Sequence, residues 1–308
     1  MNTIRPCGCK GVRTCLKCEQ DFGIEKLNLK DEFEKLDAWS WCIKCQKLYR
    51  GWNTNKIQEH HPEHLKENGI DLPGIFVQTE FISADEGLKT MDDLDSLSWC
   101  ISQSGRRKQN FGPKTNFKKR KIQNGCFQGF PLVTKYIQEK LNELPLLKNF
   151  QTIEQCSLEY DPKKGASIDP HIDDCWIWGE RVVTVNCLGD AVLTLNLYKD
   201  CLEKQLGDIS KYNLDLVQTY ENHLLEPLMG REKLKMFENK IIRIPMPCLS
   251  LIVLYGPARY QFEHSVLRED IQERRVCLAY REFTPMYLEG GQSHEKGVEV
   301  LKNAINFW

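Results

Sequence analysis

No stretch of the 308 residues approaches the roughly 18 consecutive apolar positions of a membrane-spanning helix, so a chain built around such a helix is excluded and no membrane partner is expected. Net charge is missing as well: 42 Lys and Arg stand against 43 Asp and Glu. No overall field would therefore gather nucleic acid, and any such partner needs a local patch. Internal repeats and low-complexity tracts are absent, and 41% apolar with 28% charged residues excludes a disordered chain. Behind Arg5 there is no apolar stretch of the kind a secretory leader carries, so the 14 cysteines are expected as reduced thiols, in cytoplasm or nucleus. The length is that of about two average domains, and the expectation is one main core with an appendage.

What is present begins with the cysteines. Cys7, Cys9, Cys15, Cys18, Cys42 and Cys45 crowd the N-terminal segment, whereas the other eight are scattered singly, as core cysteines are. Cys42 and Cys45 are followed by His60 and His64, a C-x2-C-x14-H-x3-H spacing at which two thiolates and two imidazoles can reach one zinc, with His61 able to replace either histidine. Cys7, Cys9, Cys15 and Cys18 form a second candidate set, and spacing equally allows Cys15 and Cys18 to join Cys42 and Cys45. Cysteine clustering ends before the turn-rich GIDLPG at 69–74. The chain is therefore divided into a Cys/His-rich zinc-binding appendage over 1–70 and a main domain over 71–308.

Ser83 and Glu86 form a capping-box pattern that predicts a helix over 83–98. From 97 to 138 no acidic residue occurs, while Arg106, Arg107, Lys108, Lys114, Lys118, Lys119, Arg120, Lys121 and Lys135 do. This hidden basic patch, with Phe111 and Phe117 interleaved, reads as hairpin or loop, and 131–142 as helical. Beyond residue 152 come short β-rich runs at 182–188, 191–198, 241–245, 249–256 and 274–283, interrupted by a polar, partly helical insertion at 199–237. Several short strands with few helices predict a jelly roll, a mainly β fold with flanking helices. Val298, Leu301, Ile305 and Trp308 recur at helical spacing and predict a final packing helix.

In SIDPHIDDCWIW, a strand would turn His171 and Asp173 to one face and Ile172 to the other. A second histidine would complete a two-His, one-carboxylate set that leaves positions open on Fe(II). His223 lies in the polar insertion, whereas His264 follows a strong apolar strand and is the chosen partner; Asp169 and Asp174 are rival carboxylates. On the last strand Arg275, Cys277, Ala279 and Arg281 share one face, so two guanidiniums should flank an interior cavity and call for an acidic occupant such as a dicarboxylate cosubstrate. The competing expectation pairs them with Asp173, Glu282 or a carbonyl. Trp176 and Trp178 wall a substrate entrance on one reading and pack the core on the other.

His171, Asp173, His264 and the R-x5-R of Arg275 and Arg281 resemble, in order and character, the pattern of AlkB-type Fe(II)/2-oxoglutarate dioxygenases. CGCKGVRTCLKC at 7–18, SQSGRRKQNFGPKTNF at 102–117, DPHIDDCWIWGERVVTVN at 169–186 and ERRVCLAYREF at 273–283 are similar to the branch associated with demethylating lysine in actin and N6-methyladenine in DNA. The resemblance implies a double-stranded β-helix, iron on His171, Asp173 and His264, and 2-oxoglutarate held by Arg275, Arg281 and Tyr160. Where the family's pattern has Asn two residues before that tyrosine, Leu158 stands. It further implies that the basic segment, Arg106, Arg107, Lys108, Lys114 and Lys118 included, is a substrate lid. The expected reaction removes methyl from methyl-lysine in a protein such as actin, releasing formaldehyde, succinate and CO2, with actin or an actomyosin-associated protein as partner. The alternatives are N6-methyladenine DNA as substrate and, from another class, a zinc-bearing binding protein with little turnover.

Overall fold

The computed structural model describes residues 5–203 and 211–308, and part of the expected insertion, 204–210, lies outside them. Its described strands are β1 (Asp37–Cys42), β2 (Lys47–Arg50), β3 (Ile75–Gln78), β4 (Cys100–Ile101), β5 (Arg106–Phe111), β6 (Lys114–Asn116), β7 (Lys121–Gln123), β8 (Glu154–Tyr160), β9 (Ile168–His171), β10 (Trp178–Leu188), β11 (Ala191–Leu197), β12 (Lys240–Met246), β13 (Ser250–Leu254), β14 (Phe262–Val266) and β15 (Arg275–Phe283). They form a six-stranded sheet, β2-β1-β12-β11-β14-β9, a seven-stranded sheet, β3-β13-β10-β15-β8-β5-β4, and the β6-β7 hairpin. Pairing is antiparallel except between β1 and β12. This is the jelly roll with flanking helices. Among the described residues no helix is long and apolar enough to cross a membrane.

Alternation along the strands builds two apolar layers. Inward residues of both sheets, such as Ile242, Ile244, Ile252, Leu254 and Phe262, meet in one core. On the outer face of the seven-stranded sheet, Val183, Val185, Leu251, Val253, Leu278 and Tyr280 are covered by Met91, Leu94, Ile137 and Leu141 from the helices Ala84–Ser96 and Lys135–Asn142. Each such Leu or Val removed from water stabilises by about 1.5–3 kcal/mol. The first of these helices begins where the sequence predicts: Ser83 Oγ accepts from Glu86 N at 3.2 Å and Glu86 Oε2 from Ser83 N at 2.7 Å, which satisfies two otherwise orphaned donors.

Two expectations change. The Cys/His-rich segment lends β1 and β2 to the six-stranded sheet, so the expected boundary near 70 falls behind strands that already belong to the barrel. The basic segment does form hairpins, β4 with β5 and β6 with β7, but its start is also packed into the main sheet: β5 pairs along its whole length with β8, from Arg106 opposite Tyr160 to Phe111 opposite Gln155.

Candidate iron and 2-oxoglutarate site

The last residue of β9 is His171, and the register against β14 sets it directly opposite His264, with ring centroids 4.2 Å apart. Asp173 follows in the loop that crosses to β10, its Oδ1 3.8 Å from His171 Nε2. Ligand atoms of all three residues lie within 4.8 Å of one another. The Asp169 carbonyl stands 2.9 Å from His171 Nδ1, which assigns the proton to that nitrogen and leaves Nε2 a lone pair. His264 Nδ1 is buried with no hydrogen-bond partner among the described residues. Burial pushes both imidazoles below their usual range and keeps them neutral. For Asp173 burial opposes ionisation, but the Arg281 guanidinium holds its carboxyl well below the usual range. Two neutral imidazoles and one carboxylate, closely convergent and short of partners, fit a divalent iron. The rivals stand apart: His223 is exposed, Asp169 pairs with Lys26 at 2.9 Å, and Asp174 makes no ion pair among the described residues.

The arginine face of β15 looks inward as expected, with Val276, Leu278 and Tyr280 packed on the other side, but its two guanidiniums differ. Arg281 is already matched: Nε lies 2.9 Å from Asp173 Oδ2 and Nη1 2.7 Å from Glu154 Oε2. It therefore orients the ligand carboxylate rather than awaiting an acid. Arg275, 1% exposed, meets the neutral Asn186 Oδ1 at 2.8 Å and Met246 Sδ at 3.6 Å, and lies 4.7 Å from the Tyr160 ring centre. No carboxylate pairs with it among the described residues. A buried guanidinium left without an anion is costly, so Arg275 fits a carboxylate of 2-oxoglutarate.

The N-terminal cysteines sort into two sets, Cys7, Cys9, Cys15, Cys18 and Cys42, Cys45, His61, His64. The mixed pairing of Cys15 and Cys18 with Cys42 and Cys45 does not occur. His60 is a correction: it caps the helix Thr54–Glu59 and its Nδ1 turns to the Lys56 carbonyl at 2.6 Å, so the next residue takes its place. His61 Nδ1 lies 3.0 Å from Cys45 Sγ and 3.7 Å from Cys42 Sγ, and His64 Nδ1 is 3.7 Å from Cys45 Sγ. Ligand atoms on a tetrahedral zinc stand about 3.5 Å apart, so both the residue types and their spacing suit the metal.

Of the five expected lid residues, Arg107 is tied to Glu159 together with Arg274, so it joins strands instead of facing a substrate. Arg106 points inward over Tyr160, with 5.8 Å between guanidinium carbon and ring centre. Lys108, Lys114 and Lys118 are exposed. Phe117, beside Lys118 and 49% exposed, leans on Trp176 and Trp178 at 6.4 and 6.5 Å. Those two tryptophans are buried with Ile177, Phe283 and Tyr287, so they pack the core. Residues that sequence reasoning missed are Glu154 and Asn186, the partners of Arg281 and Arg275. Asn186 is a polar side chain in the apolar run VVTVNCL, which is the signal that marks it, whereas Glu154 sits in the polar β8 run EQCSLEY and carries no such local mark.

A jelly roll whose open mouth brings two neutral imidazoles to an ionised aspartate, with an arginine inside still lacking its acid, has the two halves that Fe(II)/2-oxoglutarate-dependent dioxygenases need. The first is a metal position and the second a grip for a 2-oxo dicarboxylate. No family model matches the chain. Curated relatives do: it is 32% identical over 311 residues to human alpha-ketoglutarate-dependent dioxygenase alkB homolog 4, covering 99% of this chain and 95% of that protein. To the mouse protein of the same name it is 33% identical over 314 residues, covering 100% and 96%. A Caenorhabditis elegans protein named DNA N6-methyl adenine demethylase is 29% identical over 309 residues, covering 96% of this chain and 93% of its own. The chain belongs to the alkB homolog 4 family of alpha-ketoglutarate-dependent dioxygenases. It is an oxidoreductase of that class, with Fe(II) and 2-oxoglutarate as the family's cofactors.

Proposed function

We propose that the chain removes methyl groups from lysine in a protein such as actin, or in an actomyosin-associated partner, and works in cytoplasm and nucleus. Iron and 2-oxoglutarate supply the oxidation, in which dioxygen is consumed, 2-oxoglutarate becomes succinate and CO2, and the N-methyl carbon leaves as formaldehyde. The chain's own residues do the positioning: His171, Asp173 and His264 hold the metal, Arg281 braces Asp173, and Arg275 and Tyr160 hold the cosubstrate. What supports a cationic substrate is Asp174, half-buried in the loop that carries Asp173 and without an ion pair among the described residues.

A second reading, N6-methyladenine DNA, is favoured by the exposed Lys114, Lys118, Lys119, Arg120 and Lys121 around Phe117, a grouping suited to phosphates and a stacked base, and by the printed name of the nematode relative. Succinate formation is the test. Iron-loaded protein is offered mono-, di- and trimethyl-lysine actin peptides and an N6-methyladenine oligonucleotide separately, with His171→Ala as control. Stimulation by a peptide alone supports the lysine reading, and stimulation by the oligonucleotide alone replaces it with the DNA reading. We also infer that zinc occupies both N-terminal donor sets.

A further inference from the structure

The Cys7–Cys18 knuckle is docked on the active-site wall. Cys9, Cys15 and Cys18 are at most 2% exposed, and the four sulfurs lie within 4.8 Å of one another. Its surroundings are specific. A side chain at Gly8 would strike Ile101 at 2.6 Å, and Arg13 Nη1 reaches Gln103 Oε1 at 3.4 Å. The same added Cβ at Gly8 would stand 3.2 Å from the Ser102 carbonyl, which puts the knuckle backbone against the turn over 102–105. On the far side of the same turn, Ser167 N donates to Ser104 O at 3.1 Å. A Cβ on Gly105, whose φ is +76°, would meet the Lys164 carbonyl at 2.9 Å.

The turn is therefore clasped between the knuckle and the segment that leads into β9 and His171. Ser104, a non-glycine residue at φ 54°, holds a conformation that costs energy unless its surroundings impose it. Directly after the turn comes Arg106. Its Nε is 3.3 Å from the Gln103 carbonyl, and its guanidinium lies over the ring of Tyr160, the residue opposite it in the β5–β8 register. The Tyr160 ring thus has Arg275 and Arg106 both within 6 Å of its centre, and no carboxylate pairs with Arg275 among the described residues. One guanidinium matches one carboxylate, so a dicarboxylate beside iron has use for a second cation.

Resting on the 2-oxoglutarate and zinc readings above, we propose that a zinc ion in the Cys7, Cys9, Cys15, Cys18 knuckle holds the 102–105 turn. Through it the zinc positions Arg106 as a second cation of the 2-oxoglutarate pocket. Arg106 is the binding group and the knuckle a positioning element.

The test uses the full chain with Ni(II) in place of iron, zinc per chain by elemental analysis, and 2-oxoglutarate affinity by calorimetry. Wild type is expected to carry two zinc ions. Cys15→Ser/Cys18→Ser should lose one and weaken 2-oxoglutarate binding about tenfold, the scale of one charge-assisted contact. Arg106→Ala should weaken it as much with both zinc ions kept, Arg106→Lys should restore part, and the combined variant should be no weaker than either. If the serine variant does not fold, wild type stripped of zinc with a chelator and then reloaded gives the same comparison. Unchanged affinity after knuckle zinc is lost, or in Arg106→Ala, overturns the clamp and leaves the zinc reading standing. A folded, reduced protein with no zinc in the knuckle overturns the zinc reading and the clamp with it.

Discussion

At the scale of single residues the site is organised around one guanidinium shared by two carboxylates. Arg281 neutralises Asp173 and Glu154 together, both at most 10% exposed at the side chain. Arg281→Met removes that charge and leaves two buried acids facing each other, which costs about 3–5 kcal/mol, the usual result of breaking a buried pair from one side. The expected outcome is a lower urea midpoint together with weaker iron binding, because protonation of one acid relieves the repulsion; unchanged iron affinity would show that Asp173 needs no brace. At the second donor set the distinction between adjacent histidines is equally sharp. His61→Ala should lower zinc per chain by one, whereas His60→Ala, already satisfied by a backbone carbonyl, should leave it unchanged. The reverse result would return His60 to the ligand set.

At the scale of elements, the C-terminal helix His294–Asn303 shows how a correct period can carry the wrong face. Spacing selects Val298, Leu301, Ile305 and Trp308, yet Val298 is 45% and Ile305 66% exposed while Val300 and Ala304 are buried. The reason is Gly297: lacking a side chain, it lets the helix backbone sit against Tyr287, where a Cβ would stand 3.0 Å from the Tyr287 carbonyl, and this turns the neighbouring face inward. Val300→Ala should therefore cost about 2 kcal/mol, from two methyl groups at roughly 0.8 kcal/mol each plus the cavity. Val298→Ser should stay within about 0.5 kcal/mol. Denaturant midpoints check both, and equal losses would mean that the helix packs on both faces.

At the scale of the whole molecule, Glu159 ties three strands and a helix. It bonds Arg107 of β5, sits on β8, and bonds Arg274 just before β15, while Arg274 reaches Asp95 of the helix Ala84–Ser96 at 2.6 Å. Burial opposes its ionisation, but the two arginines outweigh burial and hold its carboxyl below the usual range. A depressed carboxyl contributes stability that is fully present above the unfolded value of about 4.3 and lost as pH falls through the folded value. Stability should thus fall on the acid side of about pH 4.5, and Glu159→Gln, less stable at neutral pH, should show a flatter fall. An equally steep fall in the variant would assign acid lability to other carboxylates.

What residue type and spacing determined by themselves was local chemistry. The period-two run of β15 set apolar and arginine faces, the Ser83–Glu86 box set a helix start, His171 and Asp173 came together through their one-residue gap, and the cysteine pairs announced metal. These follow from bonding geometry along a few residues of chain, so they can be read without the rest. Tertiary structure decided whatever depended on who arrives from elsewhere. It paired His264 rather than His223 with His171 through the β9–β14 register, and it gave Arg281 two acids while Arg275 kept none. It also chose His61 over its neighbour and folded the first half of the basic segment into a sheet. A charge's partner, and hence whether it braces a ligand or awaits a substrate, is set by distances between residues far apart in the chain, and only the packed barrel fixes those distances.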